Sequence, residues 1–307
     1  MTSERRKGER HFLGGRETPY SKGLMARALT AVGVTEEVSY ELARRTEADL
    51  AQRGEVSVDL DRLAELAVDL IGEEPGRRAV RQLRRYRDLQ ELDLPVILLV
   101  GGGTGTGKST VATEVAYRLG ITRVTSTDFV RQTMRAFFAR EFMPSIHYSS
   151  FEAGLGLTKA EEEESGDATL LGFLDQTRNV LTGVEAALQR ALDEGWSMVL
   201  EGVHLVPGMI STELRGALVV QCVLAIHDEE IHRTHFWIRD HHSEGIRPSD
   251  RYLSGLPEIR SIQNYVLERA ARNDVHVIEN ESQREAVRAV MDLVLAQAER
   301  FAQAAAR

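Results

Sequence analysis

The sequence predicts an α/β protein in which a parallel sheet is covered by helices on both faces and preceded by a small, mostly helical domain. Residues 21–92 carry apolar side chains at three- and four-residue spacing, which is typical of amphipathic helices. Beyond residue 94, short apolar runs alternate with helical segments, the pattern of a parallel sheet with crossover helices. The run 96–100 lies between Pro95 and Gly101, as expected of a strand buried on both faces.

We expect two domains, residues 1–90 and residues 91–307. In the first, apolar periodicity predicts helices over 21–32, 35–53, 59–71 and 77–92, with a break at 72–76, where Gly72, Pro75 and Gly76 interrupt the pattern. In the second, short apolar runs predict strands over 96–100, 123–126, 198–201, 217–226 and 275–278. Longer segments predict helices over 108–119, 129–140, 168–194, 228–271 (with a break near Gly245) and 284–305.

Composition limits the class of protein. The chain has 307 residues, 42% of them hydrophobic, which is enough for sizeable cores. Its net charge of −9 argues against nucleic-acid binding, which needs clustered cationic side chains. The single cysteine, Cys222, excludes an internal disulfide. Since neither a membrane helix nor a signal peptide is recognisable, we expect a cytoplasmic protein without membrane partners, and a homo-oligomer stays open.

A phosphate-binding loop follows the first expected strand. The segment 102–109 fits the pattern G-x-x-x-x-G-K-[ST] at every fixed position and opens an expected helix. Its glycines let backbone N–H groups point at phosphates, and the helix N-terminus adds partial positive charge. Lys108 is expected to bridge the β- and γ-phosphates, and Ser109 to ligate Mg²⁺. The predicted nucleotide-binding residues are Gly102, Gly103, Thr104, Gly105, Thr106, Gly107, Lys108, Ser109 and Thr110.

Two carboxylates end strands of the expected sheet and indicate a kinase rather than a GTPase, whose Asn-Lys-x-Asp motif is missing. Asp128 follows the second strand, where it can accept a hydroxyl proton and help to hold Mg²⁺. Its alternative role is an N-cap of the following helix. Glu201 ends the third strand and is expected to contact Mg²⁺, partly through water, or to make a structural hydrogen bond to the loop.

A segment rich in Arg and His is expected to cover the nucleotide. Guanidinium groups can neutralise charge on a transferred phosphoryl group, and we select Arg239 and Arg247, which flank the expected break, as catalytic. The alternative is ion pairing with nearby carboxylates. His232 and His235 share a helical face, but no third metal ligand is assured, so a polar or substrate-contacting surface is favoured over a metal site.

These residues resemble a known family, the 2-phosphoglycerate kinases, which make 2,3-bisphosphoglycerate from 2-phosphoglycerate and ATP. The resemblance covers most of the chain beyond residue 94, and its most specific piece is Glu201-Gly-Val-His204 with Pro207. It also includes the loop, residues 126–128, residues 143–153 and residues 259–265. The resemblance implies a P-loop kinase that uses ATP and Mg²⁺ and transfers the γ-phosphoryl group directly, in line.

An acceptor with a carboxylate, a phosphate and a hydroxyl requires cations and small donors in its pocket. The candidate substrate-binding residues are Arg131, Arg135, His147, Ser149, Ser150 and His204. Ser149 and Ser150 could equally be turn or cap residues. Other open readings are another small phosphorylated hydroxy acid as acceptor (a mevalonate phosphate, for example), an unrelated acceptor such as a nucleoside or sugar, and a non-catalytic ATP-dependent regulator.

The N-terminal domain resembles an ATP-cone, a small helical domain that senses nucleotides. The resemblance rests on residues 18–25, in which Tyr20 stands where Phe is more usual. It implies a nucleotide sensor; a helical packing or dimerisation domain is the alternative.

Overall fold

A computed structural model describes residues 12–14, 19–92, 94–158, 166–242 and 249–305, without the side chains of 239–242 and 305. The chain divides into two compact units, one of residues 1–93 and 291–307 and the other of residues 94–290. The C-terminal stretch from residue 291 thus groups with the N-terminal unit, whereas the sequence pattern assigned it to the second domain. Among the described residues, no helix is both long and apolar enough to cross a lipid bilayer.

The first unit is built from four successive helices and the end of the last one. They are α1 (Lys22–Ala31), α2 (Glu36–Arg53), α3 (Leu60–Ile71) and α4 (Glu73–Glu91). Asp59 caps α3 by accepting a hydrogen bond from the Arg62 N–H at 2.7 Å. The core contains the fully buried side chains of Met25, Leu29, Leu42, Leu63 and Leu83.

The predicted break at 72–76 is wrong except at Gly72. Helix α4 starts directly after Gly72, which has a φ of 88°. Pro75 lies in the first turn of α4, where its missing N–H has no helical acceptor to lose. Gly76 lies inside α4, where a side chain would not fit. A Cβ at this position would come within 2.7 Å of the Val68 nitrogen in α3. The glycine therefore allows two helices to approach closely rather than ending one of them.

The second unit contains a five-stranded parallel sheet of order β2-β3-β1-β4-β5. The strands are β1 (Val96–Gly102), β2 (Val124–Ser126), β3 (Met198–Glu201), β4 (Leu218–Ala225) and β5 (His276–Glu279). All five agree with the predicted strands to within two residues at either end. The α/β class with a parallel sheet is confirmed.

Both faces of this sheet are covered. On one face, Ile97 and Leu99 of β1 join a buried cluster with Val180 and Val184. Leu98 points to the opposite face because side chains alternate along a strand, and it is equally buried. The helices of this unit are α5 (Lys108–Leu119), α6 (Thr127–Phe137), α7 (Ala168–Asp193), α8 (Glu229–His242), α9 (Ser249–Ser254), α10 (Leu256–Arg272) and the start of α11 (Gln283–Ala305).

The stretch 145–156, which follows α6, is compact. It contains two 3₁₀ turns, Ser145–His147 and Ser150–Gly156. Ile146 and Phe151 in these turns are buried, so the segment packs against its surroundings through apolar side chains.

Candidate active site

The phosphate-binding loop connects the buried strand β1 to helix α5, as the sequence predicted. Lys108, the first residue of α5, is 8% exposed, and its Nζ donates a hydrogen bond to the Gly103 carbonyl oxygen at 2.6 Å. Thr106 Oγ1 donates to the same carbonyl at 2.9 Å. Gly107 has a φ of 77°, so the chain reverses here before it enters α5.

The next three carbonyl groups of the loop accept hydrogen bonds from side chains outside it. His232 Nε2 donates to Thr104 at 2.8 Å, His235 Nδ1 to Gly105 at 3.1 Å, and Asn280 Nδ2 to Thr106 at 2.8 Å. In a trans peptide the N–H of each following residue points away from the carbonyl. These three side chains therefore fix the directions of successive N–H groups, which is what a phosphate-binding loop requires.

His232 and His235, which share a helical face, both contact the phosphate-binding loop. Each uses a ring nitrogen on a loop carbonyl, and His232 also stacks on Phe236 with ring centroids 5.2 Å apart. Phe236 lies so close to the loop that a Cβ on Gly105 would meet its ring at 2.5 Å. No group of three or more metal-ligating His, Cys, Asp or Glu side chains occurs within the described part of the chain. The pair positions the loop and was missed in that role, since spacing alone does not reveal its carbonyl partners.

A hydroxyl and a carboxylate meet beside the loop. Ser109 Oγ donates to Glu201 Oε1 at 2.8 Å, and Glu201 is 7% exposed. Glu201 ends β3 beside Val100 of β1, which brings it to the loop that follows β1. The hydrogen bond that the sequence offered as the structural alternative is therefore present. The same two oxygens are of the type that Mg²⁺ prefers, so the donor set fits this ion.

Asp128 does not cap helix α6, because Ser126 does. Ser126 Oγ accepts from the Phe129 N–H at 3.0 Å, which contradicts the capping alternative for Asp128. Instead Arg131 donates to Asp128 Oδ1 from Nε at 2.9 Å and from Nη2 at 2.8 Å. Asp128 is 61% exposed, whereas Arg131 is 5% exposed. A buried guanidinium thus orients a carboxylate that remains accessible.

Two of the predicted substrate-binding residues are buried inside the protein. His204 is 1% exposed, and its ring nitrogens are bonded to Thr127 and Gln176. This contradicts a direct contact between His204 and the acceptor, because neither nitrogen is free. Arg131 donates hydrogen bonds to Asp128 and to two backbone carbonyls of the segment 146–148, so its guanidinium is occupied by these neighbours.

The other four candidates differ in their surroundings. Ser150 Oγ lies 3.3 Å from Thr104 Oγ1 of the loop, within hydrogen-bond distance. Arg135 is exposed and donates to Gln132 at 3.0 Å. His147 Nε2 donates to the Phe138 carbonyl at 3.0 Å. Ser149 accepts a hydrogen bond from an arginine that the sequence did not select, Arg251.

Arg251, in helix α9, links the covering segment to the turn that contains Ser149. It donates to Ser149 Oγ from Nη2 at 3.0 Å and to Glu152 from Nε at 3.1 Å. Of the two selected arginines, Arg247 and the side chain of Arg239 lie outside the described residues, so both stay predictions. Arg233, on the same helix as Arg239, pairs with Glu229 at 2.8 Å, a carboxylate that the sequence analysis did not name.

The chain is similar to several 2-phosphoglycerate kinases, although no family model matches it. It is 36% identical to the 2-phosphoglycerate kinase of Methanopyrus kandleri over 93% of this chain and 85% of the relative. It is 33% identical to that of Pyrococcus horikoshii over 90% of each chain. It is 38% identical to that of Methanothermobacter thermautotrophicus over 85% of each chain.

The side chains that donate hydrogen bonds to the loop carbonyls should affect the binding of nucleotides that carry β- or γ-phosphates. Replacing Asn280 by Leu removes the donor to Thr106 and should weaken ATP and ADP binding about fivefold, the value of one net hydrogen bond. AMP should bind as before. Calorimetric titration with the three nucleotides checks this, with Asn179→Leu as control because the Asn179 amide donates to Asp175 within α7, away from the loop carbonyls. Equal weakening of AMP would contradict the role assigned to Asn280.

The buried histidines predict acid sensitivity. Burial lowers the pKa of His204 to about 3 and that of His232 to about 4, so both stay neutral when folded while the unfolded chain protonates them below about pH 6.5. The free energy of unfolding is therefore at its full value above pH 6.5. Between pH 7 and pH 5, protonation of each histidine in the unfolded chain lowers it by about 2 kcal/mol. Urea unfolding at pH 7 and at pH 5 measures this fall in the free energy of unfolding, which should be smaller for His232→Gln than for wild type. His276 is exposed, so the control His276→Gln should lose as much free energy of unfolding as wild type. A loss in His232→Gln as large as that of wild type would refute the contribution assigned to His232.

Proposed function

The chain belongs to the 2-phosphoglycerate kinase family, and we propose that it transfers the γ-phosphoryl group of ATP to the free hydroxyl of 2-phosphoglycerate, yielding 2,3-bisphosphoglycerate and ADP. The observation that carries this proposal is that three features of the site lie at the carboxyl edge of one parallel sheet. They are the phosphate-binding loop, the Ser109–Glu201 pair and the Asp128–Arg131 pair. Ligands bind at this edge in open α/β sheets.

The loop binds the donor nucleotide. Its N–H groups, directed by His232, His235 and Asn280, hold the β- and γ-phosphate oxygens at the N-terminus of α5. Lys108 exchanges its bond to the Gly103 carbonyl for the phosphates, which attract its charge more strongly than a neutral carbonyl does. Negative charge that develops during transfer is thereby stabilised.

Magnesium is the metal that this donor set fits. Ser109 Oγ would ligate it directly, with Glu201 and Asp128 holding its waters. Held by these residues, Mg²⁺ would neutralise part of the negative charge of the phosphates.

Asp128 orients the acceptor. Its carboxylate accepts the proton of the attacking hydroxyl, whose oxygen forms a bond to the γ-phosphorus while the bond from that phosphorus to the ADP oxygen breaks. Arg131 keeps the carboxylate in place through two hydrogen bonds to Oδ1. Because Arg131 is buried, this orientation is set before the acceptor binds.

The acceptor's own anionic groups require cations near Asp128. Arg135 lies one helical turn beyond Arg131 and is exposed, so it can reach a phosphate or carboxylate. Ser150 offers a hydroxyl beside Thr104. We assign these two residues to the acceptor pocket. A catalytic role of Arg239 or Arg247, nucleotide sensing by residues 1–90, a cytoplasmic location and homo-oligomerisation stay predictions.

An acceptor assay tests the proposed function. Purified protein with Mg-ATP should release ADP with 2-phosphoglycerate and form 2,3-bisphosphoglycerate, identified by mass spectrometry. 3-Phosphoglycerate, glycerate and phosphorylated mevalonates serve as comparisons. Release with one of these alone would replace the acceptor, and release with none would overturn a kinase of this substrate class.

The role of Asp128 predicts a separation of chemistry from binding. Asp128→Asn keeps the shape of the side chain but removes its proton-accepting charge, so kcat should fall about 100-fold or more. ATP affinity should change less than about twofold, since the nucleotide is held by the loop. Steady-state kinetics and nucleotide titration measure both. Asp193→Asn, at the exposed end of α7, is the control, and near-normal turnover of Asp128→Asn would remove Asp128 from this role.

A further inference from the structure

A buried polar network runs beneath Asp128 and reaches the turn at 145–148. Thr127 Oγ1 lies 2.8 Å from His204 Nδ1, and His204 Nε2 lies 2.9 Å from Gln176 Oε1. Gln176 Nε2 donates to the carbonyls of Ser145 at 2.6 Å and Tyr148 at 3.1 Å. Thr127, Gln176 and His204 are each no more than 1% exposed.

Arg131 closes this network into a ring. Its Nη1 donates to the Tyr148 carbonyl at 2.8 Å, the same oxygen that Gln176 reaches, and its Nε and Nη2 hold Asp128. Asp128 follows Thr127 directly in the chain. The path from Asp128 through Arg131, Tyr148, Gln176, His204 and Thr127 therefore returns to its start.

The donors and acceptors of the ring can be arranged in one way. The Gln176 amide nitrogen must face the two carbonyls, since the reverse orientation would set three oxygens against each other. Its oxygen then faces His204, whose Nε2 must carry the proton. Nδ1 is left as an acceptor, so the Thr127 hydroxyl donates to it. The burial that favours a neutral His204 agrees with this tautomer.

Neighbouring residues leave room for this arrangement. Gly202 has a φ of 152°, and a Cβ there would lie 1.9 Å from Thr127 Oγ1. Phe173 stacks on the His204 ring with centroids 6.3 Å apart. Within the motif Glu201-Gly-Val-His204, Glu201 therefore holds Ser109, Gly202 leaves room for the Thr127 hydroxyl, and His204 accepts a hydrogen bond from that hydroxyl.

We propose that Gln176, His204 and Thr127 are positioning residues that fix the Asp128 carboxylate relative to the acceptor-side turn 145–148. The geometry makes the two move as one body, because each is bonded to the same ring of buried groups. The hydrogen bonds of Gln176 go to Ser145, Tyr148 and His204 rather than to Asp128, so its effect on phosphoryl transfer passes through the ring. The kinetic part of this proposal rests on the proposed function.

Thr127→Val tests the ring with little change of shape. It removes the hydroxyl that His204 accepts from, and kcat should fall at least about tenfold because small displacements of a catalytic group are costly. KM for ATP should stay within about twofold, and Thr127→Ser should restore kcat. Thr177→Val is the matched control. Thr177, in α7, is buried like Thr127, and its hydroxyl makes no hydrogen bond within the described residues. Unchanged kcat in Thr127→Val, or an equal loss in Thr177→Val, would overturn the proposal.

Nuclear magnetic resonance decides the same question without any acceptor. At pH 7 the ring nitrogens of His204 should show a protonated Nε2 and an unprotonated Nδ1. Gln176→Glu removes the donors to Ser145 and Tyr148, so the resonances of Asp128 and Tyr148 should shift together. The opposite tautomer, or shifts confined to residues that touch Gln176, would refute the ring. If wild type phosphorylates no acceptor, the proposed function fails while these spectra still decide the network.

Discussion

The parallel register of β2, β3 and β1 is the constraint on which the rest of the site depends. Ser126 pairs with Glu201, and Glu201 pairs with Val100, so three strands end side by side. The residues that follow or occupy these ends are then neighbours whatever their distance along the chain. This register brings the loop, the Ser109–Glu201 pair and Asp128 to the same edge of the sheet. Parallel strands, each fed by a crossover helix, place their carboxyl ends on one side.

Neutral buried side chains orient the loop and the residues beside the charged groups of the site through hydrogen bonds. His232 and Asn280 bond loop carbonyls, and His204 bonds Thr127, while the groups that we propose to face the reactants are Lys108 and Asp128. Burial keeps the imidazoles uncharged, so each offers one donor and one acceptor in a fixed order. An imidazolium would offer two donors and would add charge beside the phosphates. Hydrogen bonds of this kind set direction without changing the net charge of the site.

Sequence patterns predicted the frame better than its connections. The five strands follow from apolar runs, and the loop from its glycines and Lys108. The break at 72–76 was predicted wrongly because Gly76 serves close packing between α3 and α4, which a sequence pattern does not distinguish from a turn. His204 was predicted to contact the acceptor because it follows Glu201. Its burial depends on α7, whose Gln176 lies 28 positions away in the chain.

The sequence by itself determined the class of fold, the nucleotide-binding loop and the carboxylates at the strand ends, because these depend on local backbone geometry and on strand order. Only the tertiary structure decided which side chains hold the others. The partners of Thr104, Gly105 and Thr106 come from α8 and from the end of β5, and the ring beneath Asp128 joins α6, α7 and the turn at 145–148. Such contacts form between residues far apart in the chain, and their donors and acceptors become definite only when burial excludes water as the alternative partner.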